Sequence, residues 1–118
     1  MEISTRQFPN ATIVDFVGDI TLHNSPVVRK TLLDLLRVKR VPRTIVNLRE
    51  VKYIDSSGVA SLVEALKASR DCQTGLALYG LSATVREVLE LTRLLKLFEI
   101  YDDEDAALQG GDGITGAV

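Results

Sequence analysis

The chain has 118 residues, with 14 Lys and Arg against 16 Asp and Glu and a net charge of −2. That length holds one hydrophobic core and not two, and so even a charge balance excludes a general polyanion-binding surface. Cys72 is the single cysteine and His23 the single histidine, which excludes an intramolecular disulfide, fits a reducing compartment and leaves little for a metal or catalytic set.

In chain order, Glu2–Phe8 alternates weakly and can pair, through a turn at Pro9-Asn10, with the dense apolar run Ala11–Val17 that ends at Gly18. Ser25-Pro26 predicts a helix start, with Ser25 as N-cap and Pro26 in the first helical position. Val28, Leu32, Leu35 and Leu36 then share one helical face as far as about Val38. Arg37, Lys39, Arg40 and Arg43 form a short basic cluster, read as a solvated helix end and loop ahead of a nucleic-acid patch. Thr44–Leu48 reads as a second core strand. Val51–Ile54 carries the chain onward, its strand character left open, to Asp55-Ser56-Ser57-Gly58.

A second helix follows, marked by Val59, Leu62, Val63 and Leu66 at i, i+3, i+4 and i+7. Gly75 breaks the connection before a third core strand, Leu76–Tyr79. Ser82 caps a third helix whose inner face is Val85, Val88 and Leu89. Leu94, Leu95, Leu97 and Phe98 read as core packing, and Phe98–Tyr101 as the last strand. Asp102, Asp103 and Glu104 open a short helix through Leu108. Residues 109–118, rich in glycine, are expected to be a disordered tail after a domain spanning 1–108. The order β-β-α-β-α-β-α-β-α predicts a single α/β domain: a mixed sheet of four to five strands flanked by about four helices.

Enzyme chemistry fails by inventory. Ser56 lacks the Gly-x-Ser-x-Gly frame of a nucleophile elbow, His23 reads as a loop residue, and no phosphate-cradling glycine loop is legible. No metal-ligand spacing and no cofactor motif occurs, and neither a signal segment nor a bilayer-spanning run is seen, so a soluble cytoplasmic protein is expected. The tetrapeptide Asp55–Gly58 has a plain reading as a helix cap and tight turn. It has a second reading as a modification site, because a phosphate on a serine there would meet free backbone N–H groups and the positive end of a helix dipole.

From Ile13 to Leu108 the chain resembles the STAS domain, and most closely the bacterial anti-sigma factor antagonists. The resemblance rests on Gly18-Asp19-Ile20, Asn24-Ser25-Pro26, Ile45-Val46-Asn47-Leu48, Tyr53-Ile54-Asp55-Ser56-Ser57-Gly58, Leu81-Ser82 and Leu94-Leu95-Lys96-Leu97-Phe98. It implies a non-catalytic domain whose phosphorylation site is Ser56. The implied partners are an anti-sigma factor serine kinase, which the unphosphorylated form sequesters so that a sigma factor is freed, and a serine phosphatase that resets the switch. The resemblance also implies that Asp19, Thr21, Asn24 and Ser82 neighbour the turn and contribute to partner binding with Asp55, Ser57 and Gly58. Within the turn, Asp55 is expected to shape the loop, Ser57 to cap the helix and Gly58 to let a partner backbone approach. Thr21 stands where many family members carry a second acid. Two other roles of such domains stay open at this stage: a subunit of a lipid-transport ABC complex, and a subunit of a stress-signalling assembly.

Overall fold

The computed structural model describes residues 1–117, with side chains through residue 110. Five strands form one sheet: β1 (Glu2–Phe8), β2 (Ala11–Val17), β3 (Arg43–Glu50), β4 (Gly75–Tyr79) and β5 (Glu99–Tyr101), lying side by side in that order. β1 and β2 make the expected antiparallel hairpin about Pro9-Asn10, and the remaining pairs are parallel. The helices are α1 (Ser25–Leu33), α2 (Ser56–Asp71), α3 (Ala83–Leu91) and α4 (Glu104–Ala117). From residue 111 onward, the expected tail lies outside the residues whose side chains are described.

Strand order equal to chain order has a direct consequence. Each parallel crossover steps the same way across the sheet, and right-handed crossovers then put every connecting helix on the same face. α1, α2 and α3 accordingly pack against Val14, Phe16, Val46, Leu48, Leu76 and Leu78 through Val28, Leu32, Val59, Leu62, Val85 and Leu89. The opposite face, with Ala11, Ile13, Ile45, Ala77 and Tyr79, is left to α4, which brings Ala107 and Leu108. The second face is smaller and is closed by polar clamps. Arg6 pairs with Asp15 and Glu104, Tyr79 donates to Glu104, and Arg43 reaches Glu99 and the Ala107 carbonyl.

Several sequence expectations change in detail. Asn24, not Ser25, is the N-cap of α1, and Ser25-Pro26 are its first two residues. The Asn24 side chain is drawn backward into its own loop by hydrogen bonds, so it does not bond the helix it starts. α1 runs on through a π-helical turn (Asp34–Val38), as far as the apolar stripe predicted. Val51–Ile54 is not a strand: β3 ends at Glu50, and the segment's sheet-like pairing is an isolated parallel bridge of Ile54 to Ile20. The basic cluster is not one surface. Arg37, Lys39 and Arg40 are exposed, but Arg43 is 7% exposed because Glu99, at the start of β5, neutralises it. Phe98 is buried and Leu94 and Leu95 pack against the core, whereas Leu97 is exposed at the end of a 3-10 turn (Leu95–Leu97).

Candidate functional site

β3 delivers the chain to the end of the sheet where its parallel strands finish, and Val51 and Ile54 anchor the crossing segment in the core. The chain then turns at Asp55, in extended backbone, and enters the 16-residue α2 at Ser56. Open sheets of this kind leave their functional surface at the carboxyl ends of the parallel strands.

Asp55 is the hub of the turn. Its Oδ1 accepts from the Ser57 N–H at 2.9 Å, the Gly58 N–H at 3.0 Å and the Ser57 hydroxyl at 2.6 Å. Its Oδ2 accepts from the Leu22 N–H at 2.9 Å, across to the loop between β2 and α1. The Ser57 hydroxyl first, then the Gly58 N–H, hold the Asp55 carboxyl below the usual carboxylate range, so it is ionised in the neutral range. The helix cap is therefore Asp55. Ser57, expected in that role, spends its hydroxyl on the carboxylate.

Ser56 differs from its neighbour. It is exposed, and among the described residues its hydroxyl makes no hydrogen bond, to His23 or to any other base. The anticipated phosphate cradle is also different in kind. Asp55 already occupies the N–H groups of Ser57 and Gly58, and its carbonyl takes that of Val59. A phosphate on Ser56 would thus meet a carboxylate, and only the Ser56 N–H of that first turn is left open to it.

Loop 19–24 is tied to the turn by backbone contacts. Ile20 N–H donates to the Tyr53 carbonyl at 3.0 Å, and Asp55 N–H donates to the Ile20 carbonyl at 3.0 Å. Asn24 braces the loop from inside, its Oδ1 accepting from Thr21 N–H at 2.8 Å and its Nδ2 donating to the Asp19 carbonyl at 2.6 Å. Gly58 makes the approach possible. A Cβ there would lie 2.5 Å from Ile54 Cγ1, 2.7 Å from Ile20 Cγ2 and 2.9 Å from the Ile20 carbonyl oxygen. Gly58 is itself buried, so the close approach it permits is within the chain, between α2 and the two isoleucines, and not to a partner backbone.

The model of the STAS domain family matches residues 2–107. The chain belongs to the STAS domain family. It is 34% identical over 87 residues to the anti-sigma-B factor antagonist of Listeria monocytogenes, covering 74% of this chain and 75% of that protein. Its fold matches an anti-sigma factor antagonist from Mycobacterium paratuberculosis with a TM-score of 0.84 at 20% identity, over 92% of both chains. It also matches the anti-sigma factor antagonist SpoIIAA in its unphosphorylated form with a TM-score of 0.80 at 18% identity, over 95% of this chain and 97% of that one.

In this STAS domain, Asp19, Thr21 and Asn24 belong to the loop that meets the turn through the backbone of Ile20 and Leu22. Ser82 stands a step further off. It caps α3 by accepting from Val85 N–H at 3.2 Å, and its hydroxyl touches the Lys52 carbonyl at 3.5 Å. Two surface residues escaped sequence reasoning. Leu22 is 72% exposed on the backbone that Asp55 holds, and Tyr53 is 47% exposed on the other side of Ile54. An apolar residue in a polar loop is the signal that could have found Leu22. Among the described residues no group of three or more His, Cys, Asp or Glu is placed to hold a metal ion, and no helix is long and apolar enough to cross a membrane.

Proposed function

We propose that this STAS domain is an anti-sigma factor antagonist switched at Ser56. Unphosphorylated, it binds an anti-sigma factor that is itself a serine kinase, and so frees a sigma factor for transcription in the bacterial cytoplasm. The kinase transfers the γ-phosphoryl group of ATP to Ser56 Oγ, the bond to the β,γ-bridging oxygen breaks and ADP leaves, the hydroxyl proton passes to the kinase, and the complex separates. A serine phosphatase hydrolyses the ester and restores the binding form. The domain supplies the acceptor and the docking surface, and no catalysis.

The observation that carries this reading is the unequal state of two adjacent hydroxyls: Ser57 is committed to Asp55, while Ser56 is exposed and unbonded at the first residue of α2. Apolar area suited to a contact is exposed by Leu22, whose backbone Asp55 holds, and by Tyr53, two residues before Asp55. Phosphorylation adds nearly two negative charges beside the ionised Asp55. At a close interface, desolvation and like-charge repulsion make that a penalty on the order of several kcal/mol. Roughly 5.5 kcal/mol moves a two-state population from 1:99 to 99:1, so one phosphate supplies much of a full switch without refolding the domain. The same charge bears on the Asp55–Leu22 hydrogen bond, which gives the modification a route to the neighbouring loop.

The test is titration calorimetry against the cognate anti-sigma factor. Ser56→Ala is expected to bind as wild type does and to resist phosphorylation. Ser56→Asp is expected to bind at least about a hundredfold more weakly, a loss of about 2.7 kcal/mol. Equal binding by both variants would sink the switch.

A further inference from the structure

The two outer edges of the sheet are treated differently. β5 is three residues long, and α4 begins three residues after it. Such shortness is a common way of blunting an edge. β1 is seven residues long and pairs with β2 in unbroken register from Glu2 opposite Val17 to Phe8 opposite Ala11. It has no proline, no lysine and no bulge, three of the devices by which an edge is ordinarily protected, and its charged residues are one of each sign, Glu2 and Arg6. Because the turn has two residues, Phe8 and Ala11 form a hydrogen-bonded pair and the pattern alternates along the strand. The backbone N–H and C=O groups of Ile3, Thr5 and Gln7 therefore point away from β2. Among the described residues no strand pairs with them. An open groove of about 440 Å³, lined by Thr5, Val27, Lys30, Thr31 and Leu35 among others, runs between β1 and α1.

We infer that β1 is a self-association edge, through which two copies of this chain pair antiparallel into one continuous sheet. The charges along the strand select this occupant. Antiparallel pairing centred on Ser4 sets Ile3 opposite Thr5 of the second copy, so that residues with outward backbone groups meet residues with outward backbone groups. The same register sets Glu2 opposite Arg6, and two-fold symmetry makes that pair twice. These are positions without backbone hydrogen bonds, where facing side chains come closest.

Both residues have capacity for the contact. Arg6 engages Asp15 and Glu104 through Nε and Nη2, which leaves Nη1 without a partner among the described residues, and its side chain is 41% exposed. Glu2 is exposed and enters no ion pair among the described residues. Both lie on the α4 face of the sheet, since they alternate with Ile3 and Thr5, which face the helices opposite Phe16 and Val14. The pairing is independent of the switch, because β1 contributes no hydrogen bond to the Ser56 turn.

Sedimentation velocity of the full chain, from micromolar to millimolar concentration, tests this. The expected result is a reversible monomer–dimer equilibrium. Glu2→Lys turns two attractive pairs into two repulsive ones and should weaken the dimer about tenfold or more. Thr5→Pro removes an outward N–H that β2 does not use, and should abolish the dimer while its melting curve verifies the fold. Should that variant unfold, Glu2→Lys decides alone. A wild-type chain still monomeric at millimolar concentration, or an unchanged dissociation constant in Glu2→Lys, overturns the inference.

Discussion

The two faces of the sheet are held by different physics. The face under α1, α2 and α3 is a continuous apolar contact, in which Leu32, Leu36, Leu62 and Leu89 have no measurable exposure. The face under α4 has few apolar pairs and relies on Arg6 and Arg43 reaching carboxylates and a helix carbonyl. Apolar burial is non-directional and accumulates with area, whereas an ion pair at a half-exposed site returns little net free energy and depends on charge state. The first face therefore carries stability. The second positions a helix whose attachment responds to solution conditions.

The contrast can be broken most strongly at Leu62, which is fully buried in the core of the helical face. Leu62→Ala should cost about 3–4 kcal/mol, from lost transfer energy and the cavity left behind, read as a shift in the urea midpoint. A loss under about 1 kcal/mol would mean that this face repacks freely and is not the rigid one.

Arg43→Ala comes next. Glu99 is left with a partly covered, uncompensated charge and the Ala107 carbonyl loses its donor. Fully buried pairs lose about 3–5 kcal/mol when one partner is removed; with Glu99 about a quarter exposed, about 2–3 kcal/mol is expected. Hydrogen exchange should show α4 amides losing protection while those of α2 keep theirs. Equal loss in both helices would show that the two faces unfold as one.

The smallest effect is an acid titration. Asp15 and Glu104 are both held below their ordinary values of 3.8 and 4.5, in each case first by a hydrogen bond from Arg6. A carboxyl lowered in the folded state stabilises fully above its unfolded value, and that contribution drains away as pH falls through the lower folded value. The clamp should therefore hold near neutrality and weaken below about pH 4.5, by about 1 kcal/mol at these partly exposed sites. Two of the three tyrosines, Tyr79 and Tyr101, sit on the α4 face. Their near-ultraviolet dichroism should fade at a higher pH than the far-ultraviolet helix signal. Coincident transitions would remove the distinction between the faces.

Much of this was legible in the chain, and the exceptions share a cause. The dense runs at Ala11–Val17, Thr44–Leu48 and Leu76–Tyr79 and the stripe from Val59 to Leu66 report burial directly, because strand and helix periods are local properties. The contribution of Gly58 was not local: its space is bounded by Ile20 and Ile54, and Ile20 lies far back in the chain. Arg43 looked like part of a basic surface because its partner Glu99 lies 56 positions away. Ser25-Pro26 carried the composition of a cap, yet Asn24 won the position because its amide also satisfies Thr21 and the Asp19 carbonyl. Ser56 itself was legible through resemblance. What sets it apart from Ser57 was visible only once the hydroxyls had partners.

In the proposed switch, that difference sets the fidelity of the modification. A kinase that reaches for Ser56 takes a hydroxyl already facing solvent, with nothing in the domain to undo. One that slips by a single residue must first pull the Ser57 hydroxyl off Asp55 at 2.6 Å and disturb the carboxylate that caps α2 and holds Leu22. The domain thus discriminates between chemically identical neighbours by the work needed to present each one. On the proposed reading, errors of register are suppressed by the substrate, whatever the kinase reads.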